Sequence, residues 1–220
     1  MSTSPTQSAE NRIFGSVEEV GAAGVFGQVM GLVAVTVAFF TLGAYLGRNF
    51  TGGASIVCFI VGFGAIIGLN FVRRSEALSI TMLFAAGLFL GLAMGSGLAR
   101  YAEVQPSVVW QAAGATALFV AGLGSTGYAI RRDLSGAYRF LFVALLVLIV
   151  FGFVSLLVSM PNADIIYAVA GLVIFGGYTL VDFNRLRRAG QGEVVPLAAG
   201  IFLDVLNIFL FFLRIFGGRN

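Results

Sequence analysis

Val194-Val-Pro-Leu-Ala-Ala-Gly-Ile-Phe-Leu-Asp204-Val-Leu-Asn207-Ile-Phe-Leu-Phe-Phe-Leu-Arg214-Ile-Phe216 is one continuous apolar run with an aspartate inside it. Its length is close to the ~20 residues that a membrane-spanning helix needs. Its apolar residues do not alternate with polar ones, and it is too long for a barrel strand of ~10 residues. Asp204 lies about eight to ten residues into the run, ~12–15 Å deep at ~1.5 Å per residue. An ionisable side chain at that depth is costly and defaults to a functional role.

Six further apolar runs precede it: Val25–Leu46, Ala54–Val72, Ala77–Ala99, Val108–Ile130, Ala137–Met160 and Ala163–Asn184. The composition agrees, with 59% hydrophobic and 10% charged residues. Soluble domains average ~25% charged. The expected fold is an all-α integral membrane protein of seven transmembrane helices. Residues 1–24 are expected to form a flexible cytoplasmic tail, without the character of a signal peptide. Residues 25–216 form a single membrane domain, and residues 217–220 a short C-terminal tail. Gly87, Gly91 and Gly95 form a ladder at four-residue spacing, which Gly43 with Gly47 and Gly64 with Gly68 repeat. Such small-residue faces let helix backbones approach closely, here within one bundle.

All thirteen basic residues are arginine; Lys and His are absent. A retinal Schiff base, a His-ligated haem or zinc site, and Ser-His or Cys-His catalysis are therefore excluded. The single cysteine, Cys58, sits in an apolar run and reads as a small hydrophobe. With a cytoplasmic N-terminus, nine arginines fall on the cytoplasmic side: Arg12, Arg73, Arg74, Arg131, Arg132, Arg139, Arg185, Arg187 and Arg188. Arg48, Arg100, Arg214 and Arg219 fall on the other. This asymmetry follows the positive-inside rule.

The sixth run supplies the second acid, in Tyr178-Thr-Leu-Val-Asp182-Phe-Asn. The short link between the last two runs makes them antiparallel neighbours, placing Asp182 and Asp204 in the same half of the membrane. Two carboxylates at low dielectric do not both ionise cheaply, so they share a proton. Tyr178 shares a face with Asp182, and Asn207 shares one with Asp204. At the end of the second run Asn70 and Arg73 face the same compartment, with Arg74 adjacent. The structural alternatives are an Asp182–Arg185 surface pair, Asp204 as a hydrogen-bond hub, and Arg73 as a snorkelling anchor. Asp133 in Arg131-Arg-Asp-Leu-Ser135 is expected to cap the fifth helix.

The stretches from Gly171 to Asn184 and from Ala198 to Gly217, with Arg131-Arg-Asp-Leu-Ser135, resemble the Bax inhibitor-1 (transmembrane Bax inhibitor motif) family. The resemblance spans the chain after its N-terminal tail. It implies a seven-helix fold with the C-terminal helix at the centre, and a pH-sensitive calcium leak at a bacterial inner membrane. Its paired aspartates map onto Asp182 and Asp204, and its latching arginine onto Arg73, with Arg74 as the alternative. Val181 stands where the family often has tyrosine. No basic tail follows Gly218-Arg-Asn220, so tail-dependent calcium regulation is not expected.

Carboxylate oxygens suit Ca²⁺, a hard cation, so Asp182 and Asp204 are also the expected cation contacts. The expected partners are the lipid bilayer, calcium and protons, with no resident cofactor, no nucleic acid and a monomeric state. The alternative function is a non-transporting regulator that binds other membrane proteins, a protease modulator or cell-death suppressor. An intramembrane aspartyl protease is disfavoured, because Phe202 breaks the Gly-x-Gly-Asp pattern and Pro196-Leu-Ala does not match Pro-Ala-Leu. Reporter fusions in the loops holding Arg73, Arg131 and Arg187 are expected on one side of the membrane, and a fusion after Pro106 on the other. Opposite readings from the Arg131 and Arg187 loops would contradict the sixth span.

Overall fold

The seven apolar runs fold into seven helices in the computed structural model, which describes residues 5–72, 75–158 and 162–218, apart from the side chains of 5–23 and Leu156. They are α1 (Pro5–Leu46), α2 (Gly52–Gly68), α3 (Glu76–Val104), α4 (Pro106–Ala129), α5 (Ala137–Leu157), α6 (Ala163–Leu186) and α7 (Val194–Gly217). Short 3₁₀ turns at Gly47–Asn49 and Gln191–Glu193 join two of the corners. There is no strand among the described residues. The membrane-length part of α1 begins at Gly24, where the polar N-terminal stretch ends.

Six helices are long and apolar enough to cross a membrane. The second departs from expectation: it stops at Gly68, and Leu69–Phe71 form a turn. At 17 residues it is ~25 Å long, short of the ~30 Å hydrocarbon core. Hydropathy continues to Val72, but backbone bonds from Asn70 to Ile67 and from Phe71 to Gly68 tighten the end. The local signals at other boundaries are clear. The Ser75 hydroxyl accepts the Leu78 N–H at the start of α3. Pro106 opens α4, and Pro196 sits in the first turn of α7, where no intrahelical donor is lost. Asn162 precedes α6 with φ 61°, a conformation asparagine tolerates.

α7 is the axis of the bundle. Of its most apolar 18-residue stretch, 61% is buried, against 6% for α5 and 39% for α6. It contributes to each of the four core clusters, through Ile201, through Ile208, through Phe202 and through Leu213. Around it pack α1, α3, α4 and α6, while α2 leans on α3 and α5 on α6. The peripheral helices turn large apolar side chains outward, Ile56, Ile60 and Phe63 on α2 and Phe142, Val147 and Val150 on α5. In water such faces are a liability; in hydrocarbon they are the solvent contact.

The glycine ladder is an internal seam. Gly87, Gly91 and Gly95 of α3 press on the backbone carbonyls of Thr36, Phe40 and Ala44, while Gly43 of α1 and Gly47 of the turn that follows it press on those of Leu88 and Leu92. The seam is reciprocal, so α1 and α3 meet backbone to backbone. The Gly64–Gly68 repeat does not work as a unit, because Gly64 faces open space and Gly62 meets Leu90 instead.

A Gly91→Val protein in detergent should lose thermal stability, with a cost of ~1–3 kcal/mol or more, because the obstacle is a carbonyl that cannot rotate away. Gly114→Val, at a position facing open space, should stay within ~0.5 kcal/mol of wild type.

Candidate functional site: an aspartate pair between the last two helices

Asp182 and Asp204 are 5% and 4% exposed, the two most deeply enclosed acids among the described residues. Asp182 sits one turn before the end of α6, and Asp204 lies ten residues into α7. The antiparallel packing of the two helices makes the carboxylates electrostatic neighbours. The site depends on a missing side chain. A Cβ at Gly200, one turn before Asp204, would lie 2.6 Å from Asp182 Oδ2. The Asp182 carboxylate therefore rests on bare α7 backbone.

The hydroxyl of Thr179, fully buried on α6, reaches Asp204 and also lies 2.9 Å from the Phe175 carbonyl. A hydroxyl has one hydrogen, so it serves one of these oxygens at a time. Asp204 Oδ2 is buried with no hydrogen-bond partner. Buried polar atoms are almost always satisfied, and each exception calls for a reason.

The alternative of an ion pair between Asp182 and Arg185 is not the pair the fold makes. Arg185 donates to Glu193 and to the Tyr138 hydroxyl, each at 3.2 Å, and its guanidinium stacks 5.3 Å over the Tyr138 ring. Tyr178 is half-buried, with its ring 5.9 Å from Tyr138, and lies within electrostatic reach of Asp204. The Asn207 amide donates to the Leu203 carbonyl of its own helix at 2.7 Å. Asn70 lies in the turn after α2, its amide 3.3 Å from the Ile67 carbonyl. Arg73 and Arg74 lie outside the described residues. No group of three or more His, Cys, Asp or Glu side chains converges among the described residues. Asp182 and Asp204 together supply two carboxylates, well short of the six to eight oxygens of a resident Ca²⁺ site.

Two residues after Asp182 lies a heavily bonded polar side chain. Asn184 is fully buried, and its amide nitrogen lies 3.2, 2.7 and 3.1 Å from the carbonyls of Gly127, Ile130 and Arg132, which share its two hydrogens. Its carbonyl accepts from Leu134 N–H at 3.1 Å and from Arg188 at 2.6 Å. One amide thereby caps the end of α4 and fastens the α4–α5 loop to α6. Asp133 completes the cluster. Its carboxylate accepts from Ser135 N–H at 2.8 Å and pairs with Arg188 at 2.9 Å. It organises the loop turn, and α5 begins at Ala137 without a side-chain cap. The Ser135 hydrogen bonds, then Arg188, hold its pKa down at about 2. At the opposite end of the bundle Arg214 of α7 pairs with Asp164 of α6 and stacks over Tyr167.

The fold and this site define a multi-pass helical membrane protein with an acidic pair enclosed between its last two helices. Residues 22–220 match the family model "Inhibitor of apoptosis-promoting Bax1". The chain belongs to that family. It is 30% identical over 203 residues to an "Uncharacterized protein" of Helicobacter pylori, covering 86% of this chain and 87% of the other. It is 29% identical over 174 residues to an "Uncharacterized membrane protein" of Vibrio cholerae, covering 77% and 78%. It is 28% identical over 176 residues to an "Uncharacterized membrane protein" of Streptococcus pyogenes, covering 76% and 74%.

Asn184→Ala should destabilise the protein strongly, since each buried carbonyl or N–H left unpaired costs ~1–3 kcal/mol. A lowered folded-state pKa means that the contribution of Asp133 is complete above its ordinary value of 3.8 and is lost as pH falls through about 2. Carboxyl NMR in micelles should accordingly find Asp133 still ionised near pH 3. Removing the donor with Ser135→Pro should raise that midpoint more than Arg188→Gln does.

Proposed function

We propose that this chain is a passive, pH-sensitive cation leak, with calcium as the cargo, gated by a proton shared between Asp182 and Asp204. Its setting in this reading is a bacterial inner membrane, with the N-terminus cytoplasmic. The observation that supports it most is the pair itself: two acids, each about 95% enclosed, meet on adjacent helices, and one oxygen of Asp204 has no hydrogen-bond partner. A proton between two carboxylates accounts for that oxygen, because it supplies the donor that no side chain provides.

Thr179 gives the pair a two-position contact. With Asp204 ionised, the Thr179 hydroxyl donates to the carboxylate. With the proton shared between the two acids, it turns to the Phe175 carbonyl instead. A change in protonation thereby alters the hydrogen bonds between α6 and α7 at the centre of the bundle. In the resemblance-based assignment Arg73 latches an aspartate from the second helix, and a change in the charge of the pair weakens that latch. Calcium passes as substrate and meets the carboxylates transiently.

Calcium entry into dye-loaded liposomes across a pH series is the direct measurement. Wild-type flux should vary with pH, and Asp182→Asn and Asp204→Asn should each flatten that response. The double substitution should be no worse than the worse single one, because either change already breaks the unit. Arg73→Ala should raise flux near neutral pH more than Arg74→Ala does. Flux no greater than in empty vesicles at every pH would reject the leak. Additive effects of the two asparagines would reject the shared proton.

A further inference from the structure

α1 and α4 both pack on α7 but do not pack closely on each other among the described residues. Between them runs a crevice that opens sideways, towards hydrocarbon. Two cavities of about 720 and 710 Å³ fill it and share Thr116, Ala117 and Val205 in their linings. Each lies within the ~300–1,000 Å³ range of small-molecule sites. Phe202, Val205, Leu206 and Phe209 of α7 form its floor, and Ala113 and Ala117 of α4 keep one wall low. The walls around the α7 floor make little polar demand, since the Thr116 and Thr41 hydroxyls are spent on the Ala112 and Val37 carbonyls at 2.7 and 2.9 Å, and Ser125 and Tyr128 add hydroxyls in the second cavity alone. Such a lining suits a hydrocarbon chain and not an ion.

Charge is confined to the mouth at the far end from the Asn184 cluster, and both signs are present. Arg48 and Glu103 line that mouth. The Arg48 guanidinium stacks 4.4 Å over the Tyr45 ring, and among the described residues no carboxylate lies within ion-pairing distance of it. Trp110, at the same mouth, is 79% exposed, a placement typical of aromatic side chains at the headgroup level. An arginine fork matches a phosphate, and a carboxylate matches an ammonium.

We propose that the α1–α4 crevice is a binding site for one zwitterionic glycerophospholipid, its acyl chain lying along α7 and its phosphate and ammonium held by Arg48 and Glu103. The site does not depend on the leak. It does bring lipid onto α7 at Val205, the residue next to Asp204.

The test uses the full chain in phosphatidylethanolamine–phosphatidylglycerol vesicles doped with phosphatidylethanolamine carrying a photoactivatable diazirine in its acyl chain. After illumination, adducts are mapped by peptide mass spectrometry. They should concentrate on Thr116, Ala117, Val205 and Leu206, several-fold above the exposed α5 face at Phe142, Val147 and Val150. Arg48→Gln and Glu103→Gln should each lower crevice labelling several-fold, and Ala117→Trp should abolish it. Phosphatidylglycerol with the same labelled chain should mark the crevice several-fold less. Equal labelling by both headgroups, or indifference to Arg48 and Glu103, would overturn the headgroup assignment. Adducts spread evenly over α5 and the crevice would overturn the site. If Ala117→Trp fails to fold, the wild-type distribution alone decides.

Discussion

The enclosure of Asp204 within the membrane's thickness is the constraint around which the rest of the bundle is organised. A carboxylate facing lipid at that depth is untenable, so the helix that carries it must be surrounded by protein. α1, α3, α4 and α6 provide that surround. α7 in turn supplies residues to each core cluster, which makes it the one that these four helices pack on. The second acid follows from the same constraint. Asp182 is admitted against α7 only because Gly200 presents bare backbone, and each carboxylate then becomes part of the other's surroundings.

Polar contacts clamp α6 and α7 at their ends. At one end Asn184, Arg188 and Asp133 bind the α4–α5 loop to α6, and Arg185 with Glu193 spans the turn into α7. At the other end Arg214 pairs with Asp164. The aspartate pair lies between these clamps. The end clusters reach water, where exposed ion pairs contribute little, ~0–1 kcal/mol each. The Asn184 amide is different, being fully buried with five partners, and it sets the position of the α6 terminus two residues beyond Asp182.

The flanks of α7 are asymmetric. On one side α1 and α3 close on each other through glycines seated against carbonyls, leaving no room between their backbones. On the other, α1 and α4 stand apart and part of α7 shows through. Apolar packing gives little net drive between helices in lipid, because lipid tails are as apolar as the side chains. Close contact therefore arises where small residues permit backbone approach, and a crevice persists where none draws the helices together.

Number, order and approximate limits of the helices were legible in the sequence, because the free energy of placing a segment in hydrocarbon is nearly additive along the chain. The adjacency of the two aspartates was legible too, since a short link makes neighbours of the helices that carry them, whereas the central position of the last helix was an implication of the family resemblance that the burial of α7 bears out. Partner choice was not legible. Arg185 looks three residues ahead of Asp182 but turns to Glu193 and Tyr138; Asp133 looks like a helix cap but holds a loop turn; Gly64 repeats a spacing that Gly62 uses. Asn184 reads as a polar residue at a helix end, and Gly200 as one glycine among thirty, yet one ties the loop to α6 and the other makes room for a carboxylate. Hydropathy is a sum along one dimension. Which atoms meet depends on the rotation of each helix about its axis and on the depth at which it crosses its neighbour, and those quantities exist only once the helices have packed.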